Sequence, residues 1–270
     1  MRIVVAYKWA SDPQDVRVEA EGQVDMGRAR PALSDYDAVA IEVARQVAAD
    51  PPTGGSEEGS EVVALSVGAE SVGAPIAVKA VLARGIDRAV VVADDRFEDA
   101  GASGTARVLA EAIRHIGGVD LVVAGDCSVD SGARLVPAVL AGILGWTVLT
   151  DVTSLAREPG GALRVERVIP EGLQVLSVET PVVIAVASDA AEPRVPGMKD
   201  MMAAGRKPVE RLDLTALGVD AASLAALAGT VRRLAPARRV ARRGRVISAA
   251  EPSAAAAELI DALREEGMWW

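Results

Sequence analysis

Short runs of β-branched and aliphatic residues recur along the first half of the chain, at Arg2–Tyr7, Glu61–Gly68, Arg88–Asp94 and Asp120–Asp126. Each is nearly continuous in Val, Ile, Leu and Ala, which predicts strands buried on both faces, as in a parallel sheet. Between them the apolar spacing becomes helical. In SDYDAVAIEVARQVAAD (34–50), Val39, Val43 and Val47 fall every fourth residue, and Ser34 or Asp35 is placed to cap the first turn with a side-chain oxygen. GAPIAVKAVLARG (73–85) ends at Gly85, a natural left-handed stop. GTARVLAEAIRHIGG (104–118) puts Val108, Leu109, Ala112, Ile113 and Ile116 on one face and halts at a glycine pair. A fourth helix, near 133–144, carries Pro137 in or near its first turn, where proline is tolerated. Strand and helix alternate to about residue 146, the pattern of βαβ units in a doubly wound, mostly parallel sheet. Ligands of such sheets sit beyond the carboxyl ends of the strands, so the loops beginning at Tyr7, Val67 and Gly125 are the ones to watch.

After Trp146 the pattern changes. ALRVERVI (162–169) and GLQVLSVE (172–179) alternate apolar and polar residues around Pro170-Glu171-Gly172, which predicts an antiparallel hairpin. PVVIAVAS (181–188) reads as a buried strand. EPRVPGMKDMMAAGRKPVE (192–210) follows, with three methionines in place of a clean strand or helix pattern. Then come a weak Ala/Leu helix at 221–228, an arginine run at 232–245, and PSAAAAELIDALREEGMWW (252–270), a capped amphipathic helix ending in Trp269 and Trp270. Those tryptophans either fold back on the body or enter a partner. DPPTGGSEEGS (50–60) is a polar surface loop, and no internal repeat is evident.

Charge and composition narrow the function classes. With 29 basic and 38 acidic residues the net charge is −9, a poor match to general nucleic-acid binding. Arg232, Arg233, Arg238, Arg239, Arg242, Arg243 and Arg245 have two readings, a solvated tail or a docking strip for an acidic partner. A single cysteine, Cys127, excludes an internal disulfide and a cysteine metal cluster. The one histidine, His115, lies in a helical pattern and reads as structural. The chain opens directly on a strand with no signal peptide, and no apolar run approaches a membrane span, so a soluble, cytoplasmic protein without membrane insertion is expected.

Enzyme motifs are missing: no Walker-type phosphate loop, no G-x-G-x-x-G after the first strand, no nucleophile elbow and no His–Glu metal motif. One His and one Cys leave little for a nucleophile–base pair. Asp94–Asp95, at a strand end, reads as loop solvation. The absences favour a binding or carrier protein over an enzyme. AGDCSVDSGARLVP (124–137) follows the fourth strand and feeds a helix. Its small residues and the helix N-terminus suit an anion such as a nucleotide phosphate, although a plain βα connection has the same composition.

Three stretches together, DLVVAGDCSVDSGARLVPAVLAGILGW (120–146), VERVIPEGLQVLSVETPVVIA (165–185) and AEPRVPGMKDMMAAGRKPVE (191–210), resemble the β subunit of the electron transfer flavoproteins in order and spacing. RIVVAYKWASDP, residues 62–94 and ARVLAEAI resemble the same family. In the second stretch Arg167, Glu171, Gly172, Gln174, Pro181, Val183 and Ile184 fit the family pattern, whereas Pro170 stands where an acidic residue is usual.

The resemblance implies an adenine-nucleotide-binding α/β core over residues 1–190, a partner recognition loop at 191–210, and a C-terminal arm and helix at 211–270 that packs on an α subunit. It implies a heterodimer whose redox FAD lies mainly in α and is shared with this chain, with AMP or a second FAD held in β. Electrons would enter from a flavin-dependent dehydrogenase, such as the acyl-CoA dehydrogenases of fatty acid β-oxidation, and leave to a quinone oxidoreductase or another acceptor. The family's nucleotide site carries over to Ala6, to Ser34, Asp35, Tyr36 and Asp37, to Val67, and to the loop Gly125, Asp126, Cys127, Ser128, Val129, Asp130, Ser131, Gly132, Ala133, Arg134, Leu135 and Val136. Departures are Ser34-Asp35 for the frequent Asn-Pro, and Leu135-Val136 for a Gln followed by Thr or Val. Leu135 has no hydrogen-bonding group, which leaves backbone N–H groups and Arg134 to hold a phosphate. The recognition loop carries over to Pro193–Lys207, with Pro193, Arg194, Met198, Met201 and Met202 facing partners. Met198 replaces the anchoring Leu and is expected to be exposed, with Met201 and Met202 partly core. Two other readings share the βαβ opening: a stand-alone nucleotide module of universal-stress type, and an ATP-using enzyme, which would need a Ser-Gly-rich loop after the first strand.

Overall fold

The buried strands predicted from the aliphatic runs all form. In the computed structural model, residues 1–19, 23–25, 28–50, 59–97, 100–227 and 244–268 are described. The chain order is β1 (Arg2–Ala6), β2 (Trp9–Ser11), β3 (Arg17–Val18), β4 (Val24–Asp25), β5 (Pro31–Leu33), α1 (Asp35–Ala49), β6 (Glu61–Gly68), α2 (Pro75–Leu82), β7 (Arg88–Ala93), α3 (Gly101–Ile116) and β8 (Leu121–Gly125). It continues with α4 (Val136–Leu144), β9 (Thr147–Arg157), β10 (Leu163–Ile169), β11 (Gly172–Val178), β12 (Val182–Val186), α5 (Met198–Ala204), β13 (Val209–Leu212), α6 (Ala221–Ala225) and α7 (Pro252–Glu265).

Among the described residues nine strands form one sheet in the order β11-β10-β9-β12-β8-β1-β6-β7-β13. Its centre is parallel, and β10 and β11 add antiparallel pairs at one edge. Alternate side chains of each strand enter opposite cores. Ile3, Val5, Val123 and Ile184 pack with α1 and α2 on one face. Val4, Val63, Val122 and Val183 pack with α3 and α4 on the other. Both faces are therefore covered, which is why these strands read as unbroken apolar runs. Each fully buried Val, Ile or Leu contributes roughly 1.5–3 kcal/mol, so the central strands dominate the stability.

The winding reverses beside β1. From β1 the chain moves outward through β6 and β7, and α3 then returns it to β8 on the other side of β1. The connections after β1 and β8 leave toward opposite faces of the sheet there, which forms the crevice where such sheets bind ligands.

Several expectations need correction. Ser34 occupies the N-cap of α1, but its side chain makes no capping bond, and its Oγ is buried without a partner. The fourth helix starts at Val136 rather than 133, with Pro137 in its first turn. The weak helix closes at Ala225, and α7 is preceded by Glu251 with no side-chain cap. Strand β9 went unpredicted, and it joins the hairpin to the main sheet through β12. Asp94 is no solvated loop residue. It is buried, accepts hydrogen bonds from Arg96 at 2.6 and 2.9 Å, and accepts another from the Leu214 backbone at 3.3 Å. The hydrogen bond from Arg96 holds its carboxyl well below the usual range, at about 2.

Met201 and Met202 are not core either. Met198, Met201 and Met202 are 84%, 40% and 69% exposed, and Ala204 is the residue that α5 buries. His115 is partly exposed on α3, with Nε2 2.8 Å from Glu210 of β13.

The described chain divides into two units, Met1–Leu234 and Ala235–Trp270. The second contains α7, and within it Arg245 pairs with Glu265 at 3.0 Å. Most of the polar loop at 50–60, the arginines from Arg232 to Arg243, and Trp269 and Trp270 lie outside the described residues.

Candidate functional site

The crevice at the reversal is built from three backbone segments joined by one carboxylate. Asp37, in the first turn of α1, accepts from the Lys8 N–H at 2.7 Å and from the Gly125 N–H at 3.3 Å. It thereby clamps the ends of β1 and β8 to the start of α1. The three segments approach so closely that position 125 has no room for a Cβ, which would lie 2.7 Å from Tyr36 Cβ and 2.8 Å from Asp37 Oδ1. Burial raises the Asp37 carboxyl to about 7, against the pull of its two backbone donors and the Lys8 ammonium.

A second tie runs from the β1 turn to the loop after β8. Lys8 Nζ lies 2.6 Å from Asp130 Oδ2, while the Ser131 N–H donates to Asp130 Oδ1 at 2.6 Å. Burial opposes ionisation of Asp130, but these donors outweigh it and lower its pKa. Further along the loop, Arg134 pairs with Asp126 and, at 2.7 Å, with Asp151. Arg134 and Asp151 are also the non-glycine residues with positive φ among those described, at 54° and 56°. Such conformations cost of order 1–3 kcal/mol and persist where surrounding contacts dictate them. Asp151 lies in a register shift of β9 against β12, a bulge that turns its side chain toward the loop.

These bonds revise the view of the phosphate loop. Arg134 is already engaged by two carboxylates and is not free to replace the missing polar group at Leu135, whose side chain is 53% exposed. The remaining donors are backbone N–H groups, those of the first α4 turn included, which have no intrahelical acceptor. Gly132, at φ 60°, and Arg134 bend this loop back on itself. Two buried polar atoms here have no partner, Ser34 Oγ and Asp126 Oδ1. An unpaired hydroxyl and an unpaired carboxylate oxygen suit a polar ligand with hydroxyl or amino groups, such as a nucleoside, better than an apolar one.

A cavity of about 710 Å³ opens against this crevice. It is lined by Asp35, Tyr36, Ser128 and Val129, by Ser188, Pro193, Arg194 and Val195, and by Pro13 and Arg84. Residues expected of a nucleotide site and of a partner loop therefore share one cavity. Ala6 instead points into the core, and Val67 packs against the same core. Ser34, Asp37, residues 125–127 and residues 130–136 are not among the lining residues, nor are the three methionines. Lys8, Arg84, Asp151 and Ser188 escaped the sequence reading. Arg84 closes an apolar helix where a basic residue ordinarily complements the dipole, which hides any other role.

The electron transfer flavoprotein domain model matches residues 23–217. The chain belongs to the electron transfer flavoprotein domain family. Members of this family carry electrons and bind flavin. Within this electron transfer flavoprotein domain, Arg167 and Gln174 of the hairpin motif are direct cross-strand partners, and Arg167 Nε donates to Gln174 Oε1 at 2.7 Å. Among the described residues no helix is long and apolar enough to cross a membrane.

Proposed function

We propose that this chain is the β subunit of a heterodimeric electron transfer flavoprotein. It passes electrons from a flavin dehydrogenase, of the acyl-CoA dehydrogenase type, to a quinone oxidoreductase or another acceptor, through FAD held mainly by an α subunit. Its own part is placement: it makes and breaks no covalent bond. It completes the flavin pocket, holds an adenine nucleotide at the β1–β8 crevice, and presents α5 to the donor. The crevice residues in this reading are Ser34–Asp37 and Gly125–Asp130, with backbone N–H groups as the phosphate donors.

The observation that carries the docking part is α5 itself. It exposes Met198, Met201 and Met202 together on a short helix. Methionine is flexible and polarizable and adapts to an apolar pocket. Exposure of three such side chains on seven residues has no value for the stability of the chain alone.

Co-expression with an α-type electron transfer flavoprotein chain, followed by purification through a tag on this chain, is expected to yield both subunits and a flavin absorption spectrum. Recovery of neither partner nor flavin would overturn the reading. Acid release and chromatography of the bound nucleotides then identify what β holds. Met198→Asp is expected to slow electron transfer from the dehydrogenase by about ten-fold or more with FAD content unchanged. Loss of FAD in that variant would make Met198 a structural residue instead.

A further inference from the structure

The cavity is lined by two arginines, Arg84 and Arg194, and by one carboxylate, Asp35. Arg84 comes from the turn after α2, and Arg194 comes from the segment between β12 and α5. Both line the cavity, and Arg194 reaches Gly85, the residue that follows Arg84. A Cβ added at Gly85 would lie 3.3 Å from Arg194 Nη1 and 3.0 Å from Arg45 Cδ. Arg45 and Arg194 thus meet at the glycine that follows Arg84. A neighbouring carboxylate, Glu42, is bound twice by Arg45, at 2.5 and 3.1 Å. Against the cost of burial, Glu42 also feels the charge of Arg194, which helps to lower its pKa, but among the described residues neither Arg84 nor Arg194 forms an ion pair within 4 Å. Arg84 Nη1 donates to the Ala80 carbonyl at 2.9 Å, but its Nε is buried with no acceptor. Like charges brought together this way destabilise the fold unless an anion lies between them. Asp35, among the residues lining the cavity, supplies one negative charge against two positive ones.

We propose that Arg84 and Arg194 form an anion subsite that takes the outer phosphate of a nucleoside diphosphate whose nucleoside end lies on the β1–β8 crevice. This rests on the nucleotide reading above for the identity of the ligand. It goes further in assigning the outer phosphate to guanidinium groups that lie outside the Gly125–Val136 loop. Guanidinium groups match phosphate oxygens with paired donors, and Ser128 and Ser188 add hydroxyls in the same cavity. A volume of about 710 Å³ lies within the range of small-molecule and cofactor sites. The subsite predicts discrimination by phosphate number, which a site confined to backbone N–H groups of the β8 loop would not give.

The test is calorimetric titration of the full chain, freed of bound nucleotide, with adenosine, AMP, ADP and inorganic pyrophosphate. ADP is expected to bind at least about ten-fold more tightly than AMP, as charge-assisted hydrogen bonds to one further phosphate imply. Arg84→Met is expected to bring ADP to within about three-fold of AMP, and Arg194→Met, at an exposed position, to do so in part. Thermal melts run alongside confirm that both variants fold. Equal binding of AMP and ADP by the unaltered chain, or ADP affinity indifferent to both variants, overturns the subsite and leaves the nucleotide reading standing. Pyrophosphate binding that depends on Arg84, with no binding of adenosine or AMP, supports the anion subsite while overturning the nucleotide reading. No binding by any of the four overturns both.

Discussion

Gly125→Ala is expected to lower the melting temperature by roughly 5–10 °C and, under the proposed nucleotide reading, to abolish nucleotide retention. The added methyl would meet Tyr36 Cβ at 2.7 Å and the Tyr36 backbone carbon at 2.9 Å. Neither can swing aside as a side-chain tip would, so the first turn of α1 must move off the end of β8. That movement breaks the Asp37 bonds to Lys8 and Gly125, which hold the three segments together. Overpacking of this kind costs about 1–3 kcal/mol, and the broken clamp adds to it. For a chain of this size each kcal/mol moves the melting temperature by roughly 2–4 °C. Gly142→Ala in α4 is the control. Its added methyl meets nothing within 4 Å, and the helix gains from it, so a small rise is expected. Equal melting of the two variants would show that the tight approach at 125 relaxes freely.

The second large effect is a pH dependence centred on Asp37. Its folded-state pKa, about 7, lies above the unfolded value near 3.8, because burial disfavours the carboxylate. A raised acid contributes stability that is fully present below its unfolded pKa and is lost as pH rises toward the folded one. The stability of the protein relative to Asp37→Asn is therefore expected to fall by about 2 kcal/mol between pH 5 and 7, and to level off above pH 8. The groups facing Asp37 are the Lys8 ammonium, which favours its ionised form, and Asp130, which opposes it. Paired denaturant titrations of the two proteins across that range measure the difference directly. A difference that stays flat, or grows with pH, would mean that Asp37 is ionised throughout and held by its donors.

How much of this was legible in the sequence depended on whether one physical cause left one pattern. Ile3–Val5 and Leu121–Ala124 announced themselves because burial on both faces demands uninterrupted aliphatics. The hairpin was equally plain, since β10 and β11 have one wetter face. Strand β9 was not, because its eleven residues include Thr147, Thr150, Asp151, Thr153 and Ser154, and the bulge at Asp151 breaks the alternation. Strands of two or three residues such as β3 and β2 have too few positions to show any period.

The crevice was foreseen from strand ends and topology, yet the roles within it were not. Asp37 looked like a ligand contact, and its bonds to Lys8 and Gly125 make it a clamp. Nothing local distinguishes those roles, because the partners lie 29 and 88 residues away. Met201 and Met202 show the converse limit. Apolar character marks a residue that will leave water, but it does not say whether the cover comes from its own chain or from another.

The stretch bearing α5 has a further property that follows from its two ends. It leaves the sheet at β12 and rejoins it at β13, five strands away, or about 24 Å at the usual spacing. Near its far end Lys207 Nζ donates to the Leu82 and Ile86 carbonyls at 3.0 and 2.6 Å, fastening it to the end of α2. Under the docking role proposed for α5, an incoming partner meets a surface that is already tethered at both ends, with little chain left to order on contact. Substitutions along α5 should accordingly alter how long a complex survives far more than how often it forms.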